Sequence, residues 1–96
     1  MSKAVEVLET AHAVMVGERE NTHGSTLINH ATIAKLWNIY LLAKKGMACN
    51  IKPEDVALMM VLLKVSRSAN GEYNEDDYVD MAAYASIAAD VALKDE

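Results

Sequence analysis

Lys64 and Arg67 stand three residues apart, and Asp77, Asp80 and Tyr84 follow at spacings of three and four. On helices, each set falls on one face. If the two helices form an antiparallel hairpin, the end of one lies beside the start of the next, and two bases meet two acids. Such a cluster can do one of two things. It can pin the hairpin as an ion-pair network, because charges taken out of water are usually paired. Alternatively, Asp77 and Asp80 hold a divalent ion while Lys64 or Arg67 meets a phosphate, since phosphate-ester chemistry needs oxygen ligands and cations together. No cofactor is expected on the first reading, and on the second the ion is magnesium.

His23 and Gly24 form a second candidate. A histidine beside glycine, in a loop leading to a helix start, can present an imidazole and free backbone amides to an anion; otherwise His23 is a solvated loop residue. His12 and His30 fall within expected helices and read as packing residues, without a carboxylate or cysteine at ligand spacing. Glu6 and Glu9 are another acidic pair three apart, of the kind any solvated helix face produces. Met59, Met60, Trp37 and Tyr40 read as core rather than as a cofactor box. Ser25, Ser66 and Ser86 have no nucleophile context, and no glycine-rich phosphate loop is written into a chain with four glycines. The single cysteine, Cys49, makes no internal disulfide.

These residues need helices to position them. Strand signals are almost absent and alanine recurs at helical spacing, which predicts an all-α chain in a compact four-helix arrangement. A first helix is expected from Ser2, a good N-cap, to about residue 17, with Ala4, Leu8, Ala11 and Met15 as its inner stripe. Residues 18–25 read as a loop. Ser25 or Thr26 caps a second helix reaching residue 45, where Lys44 and Lys45 suit the negative helix end and Gly46 terminates it. Its inner face holds Ile33, Trp37, Tyr40 and Leu41. A third helix, residues 53–68, opens with Pro53, Glu54 and Asp55 and is apolar all round from Val56 to Leu63, which suits a central helix. Leu63 and Trp37 are expected to be buried. Asn74 caps a fourth helix, residues 75–93, whose alanines permit close approach.

Ninety-six residues make a single helical domain, too small for a catalytic barrel or a dinucleotide sheet. A net charge of -5 argues against a nucleic-acid binder. The charge is also divided: about -2 over residues 1–34, +4 over 35–67 and -7 over 68–96. No uncharged apolar run is long enough for a membrane span or a signal peptide, so an intracellular protein with no membrane partner is expected. A third helix apolar on every side asks for more cover than three short neighbours give, so a homodimer is expected.

The ordered series Arg19, His23-Gly24, Ile33-Ala34-Lys35-Leu36-Trp37, Tyr40-Leu41, Pro53-Glu54-Asp55-Val56-Ala57, Met59-Met60, Leu63-Lys64, Arg67 and Asp76 to Tyr84 resembles a family of small phage and prophage proteins of unknown function. It spans residues 15–90. The resemblance implies an all-helical phage protein in the cytoplasm of an infected or lysogenic bacterium. More loosely, it implies similarity to nucleotide-modification-associated proteins and helical nucleotide pyrophosphatases. Three functions follow as expectations: a domain that binds and modulates a host or phage protein, a magnesium-dependent nucleotide binder or hydrolase using Asp77, Asp80, Lys64 and Arg67, or a structural homo-oligomer subunit.

Overall fold

Helix starts are set by side chains that take up the free N–H groups of the first turn. Ser2 does this for α1 (Lys3–Val14): its Oγ accepts from the Val5 N–H at 3.3 Å. Beyond Val14 the helix widens into a π-helical turn, Met15–Arg19. The computed structural model describes residues 2–19 and 26–94. α2 runs Thr26–Lys45 and stops at Gly46, whose φ of 67° is the left-handed conformation that glycine adopts without strain. The connection from Gly46 to Lys52 is held back on α2 by Asn38, which accepts from the Ile51 N–H at 2.9 Å and donates to the Ile51 carbonyl at 3.1 Å.

α3 (Pro53–Asn70) opens on proline, and the Asp55 carboxylate reaches back to accept from the Lys52 N–H at 2.9 Å. α4 (Glu75–Lys94) is capped by Asn74, whose side-chain oxygen accepts from the Asp76 N–H at 3.0 Å, and Glu75, Asp76 and Asp77 fill its first turn. The all-α, four-helix expectation holds, and every described helix begins within a residue of its expected start.

α4 is the element all others use. α3 pairs with it as an antiparallel hairpin, α1 lies along it, and α2 rests on α3 with a smaller contact to α4. Its buried positions, Val79, Ala83, Ile87 and Val91, recur every four residues. Two clusters form on that stripe. One joins Ala57 of α3 to Ile87, Ala88 and Val91; the other joins Ala11 of α1 to Val79 and Ala83, and Met15 packs against both.

Burial differs from expectation on the first three helices. The third helix touches both neighbours but is not the best-covered one: Val56 and Ala57 are buried, while Leu58, Leu62 and Val65 are exposed. Leu63, expected in the core, is 45% exposed, and Trp37 is only partly buried. A helix apolar all round carries no moment to say which side faces the neighbour, and here the close approach runs through Ala57. On α1 the inner face is Val7, Ala11 and Met15, with Leu8 left 61% exposed, because Ala11 is the residue that fits against Val79 and Ala83.

The molecule is long for its size. Its radius of gyration is 14.8 Å and its extents are 49 × 31 × 22 Å; a compact chain of this length would have a radius of about 12.5 Å. The accessible surface of 6553 Å² likewise exceeds the roughly 5400 Å² typical of a monomer of this mass.

Candidate functional site

The α3–α4 hairpin brings together the four charged residues singled out by spacing. Lys64 Nζ lies 2.9 Å from Asp80 Oδ2, and Arg67 Nε lies 3.6 Å from Asp77 Oδ1. Burial is split unevenly within each pair: the Lys64 side chain is 13% exposed against 40% for Asp80, and Asp77 is 6% exposed against 58% for Arg67. Asp77 also sits in the first turn of α4, where the helix dipole favours a carboxylate. Below the pairs, the Ser68 and Tyr78 hydroxyls are 3.0 Å apart, and the Tyr78 ring stacks on Tyr73 at 5.6 Å between centroids. Each acid therefore has a base of its own, and a cation entering between Asp77 and Asp80 would first have to displace these bases. Among the described residues, no three His, Cys, Asp or Glu side chains come together as a metal site.

At the start of α1, Lys3 bridges Glu6 and Glu75, each at 2.9 Å. The bond to Glu75, then that to Glu6, raises the ammonium pKa above its ordinary value. Glu6 thus ties α1 to the start of α4 through Lys3. His23 and Gly24 lie outside the described residues.

Two recesses flank α2. The larger, of about 400 Å³, opens between α2 and the hairpin and is lined by Thr26, His30, Ile33 and Trp37 from α2, Val56 and Met60 from α3, and Tyr84 from α4. His30, expected as a packing residue, is 5% exposed, and its Nδ1 donates to the Thr26 carbonyl at 2.9 Å. The signal available in the sequence was its position one turn after Thr26 and on the side of Ile33 and Trp37. The smaller recess, about 160 Å³, is wholly apolar and lined by Trp37, Tyr40, Leu41, Ile51 and Met59. Tyr40 is 59% and Met59 42% exposed at its edges. Leu36, one turn before Tyr40, and Leu63, one turn after Met59, extend the apolar surface, and Lys44 and Lys52 are exposed beside it.

No helix among the described residues is long and apolar enough to cross a membrane. No solved structure matches the chain. Two phage proteins do. The chain is 37% identical over 92 residues to the Gene 55 protein of Mycobacterium phage L5, covering 96% of this chain and 56% of that one. It is 35% identical over 79 residues to the Gene 55 protein of Mycobacterium phage D29, covering 82% and 48%. It thus spans about half the length of these relatives, and they bear out the expected phage kinship. Residues 6–92 match the model of a domain of unknown function, DUF6378, and that span takes in all four α-helices apart from their outermost residues: the chain belongs to the DUF6378 family.

Proposed function

We propose that this phage-type domain acts by protein–protein contact, holding a host or phage protein in the bacterial cytoplasm against the apolar face that α2 and α3 leave uncovered. The observation that carries this is the exposure of Leu36, Tyr40 and Met59 around a depression built by Trp37, Leu41 and Ile51. Apolar surface of this kind, rimmed by charge, is what a partner covers with gain. The excess of accessible surface over a compact monomer supports the same conclusion.

The rim names the partner's chemistry. No Asp or Glu occurs between residues 21 and 53, while Lys35, Lys44, Lys45 and Lys52 fall in that stretch. The matching surface is an apolar ridge flanked by carboxylates, as on an acidic amphipathic helix. A second copy would bring the same Lys35, Lys44, Lys45 and Lys52 to the interface, so we assign the face to a different chain.

The test is reconstitution. A protein co-purified from the host is to be expressed alone, and its Kd measured for the wild type and for a Tyr40→Ser, Met59→Ser variant whose helical circular dichroism is unchanged. The expected result is a Kd raised at least about tenfold in the variant, roughly 1.4 kcal/mol, with slowed amide exchange over α2 and α3 in the complex. Equal affinity for both chains, or a self-associated chain whose mass rises with concentration through this face, overturns it.

A further inference from the structure

We propose that the groove between α2 and the α3–α4 hairpin is a binding site for a flat, uncharged heteroaromatic ring that carries an N–H donor. Thr26, Asn29, His30 and Thr32 form the polar side of the groove, and His30 is the buried one among them. A carbonyl oxygen has no proton to give, so the 2.9 Å contact with the Thr26 carbonyl places the proton on Nδ1. In the neutral imidazole this leaves Nε2 as a bare acceptor, on a side chain that is 5% exposed and lines the groove. Among the described residues nothing donates to Nε2. Nε2 is open to the groove rather than sealed from it, since the described buried side-chain atom without a partner is Glu54 Oε1, and a ligand N–H takes the place of water there.

The remaining walls decide the rest of the ligand. Ile33, Trp37, Val56, Met60 and Tyr84 offer aliphatic, thioether and aromatic surface, which favours a planar ring. None of the lining side chains is charged, so the inserted part of the ligand is neutral. Lys64, one turn beyond Met60, is already committed to Asp80 at 2.9 Å and is not available to an anion. A volume of about 400 Å³ takes a fused bicyclic ring and falls within the range of small-molecule sites. This site is separate from the Tyr40–Met59 face and does not depend on it, although Trp37 borders both.

The experiment titrates the full chain at pH 8 with benzimidazole and with 1-methylbenzimidazole, which has the same shape but no donor. Trp37, the sole tryptophan, reports occupancy by its emission, and the imidazole nitrogen resonances of His30 report the bond. Saturable binding of benzimidazole, a Kd for the methylated ring at least about tenfold weaker, and a His30 Nε2 resonance moving to lower shift as it accepts a hydrogen bond are the expected results. Equal binding of the two rings, an unmoved His30 at saturation, or no binding of benzimidazole overturns the proposal. No substitution in the groove is needed, so a misfolded variant cannot confuse the outcome.

Discussion

α4 and α3 make opposite use of their residues. α4 buries alanine and β-branched side chains along one stripe, Val79, Ala83, Ile87 and Val91, while α3 exposes much of its larger stock, Leu58, Leu62, Leu63 and Val65. What decides burial here is how closely two backbones can approach, and small side chains allow that approach. Large ones on the outer side of α3 find no neighbour within reach. The core is accordingly narrow, and the apolar surplus lies on the outside, where it is available to another molecule.

The contrast is sharpest at Ile87, which is 2% exposed and packs on Ala57. Ile87→Ala should cost about 2–5 kcal/mol, read from urea unfolding, because it opens a cavity where α3 and α4 meet. A cost below about 0.5 kcal/mol would mean that α4 is not the hub.

The charged hairpin should respond less. Asp80→Asn leaves the Lys64 ammonium, 13% exposed, without its anion. A loss of about 1–3 kcal/mol follows from stranding a mostly buried donor, and magnesium should leave the melting temperature of both chains unchanged. A magnesium-dependent rise in the wild type alone would turn Asp77 and Asp80 into a metal site.

The smallest effect belongs to Lys3, which is fully exposed. Its pKa is raised by Glu75 and Glu6 in the folded chain, so its contribution is complete below the ordinary lysine value near 10.5 and is lost as the pH climbs through the raised one. Lys3→Met should therefore unfold slightly earlier than the wild type at pH 8 and low salt. The gap should close at high salt, since exposed pairs are screened.

The elements of the fold were legible because their ends carry chemistry. Ser2, Pro53, Asn74 and Gly46 sit at helix boundaries and do there what their side chains, or the lack of one, allow. The pairing of Lys64 with Asp80 followed from helical spacing and a short connection. The covered side of α3 was not legible, since Val56 to Leu63 is apolar in every direction and gives no preferred face. The Asn38 clamp on Ile51 and the π-helical turn after Val14 depend on tertiary placement, which no local pattern encodes. His30 looked like any helix histidine until the groove around it could be seen.

The outer faces of α2 and α3 are free of the fold's own core. Urea unfolding of the isolated chain at high dilution, wild type against a Leu36→Ser, Leu62→Ser variant, tests it most directly. Both side chains are more than half exposed, at 58% and 65%. The expected unfolding free energies differ by no more than about 0.5 kcal/mol per site, with the slope unchanged. A loss of about 2 kcal/mol or more for each leucine, the size expected of a core position, would contradict it.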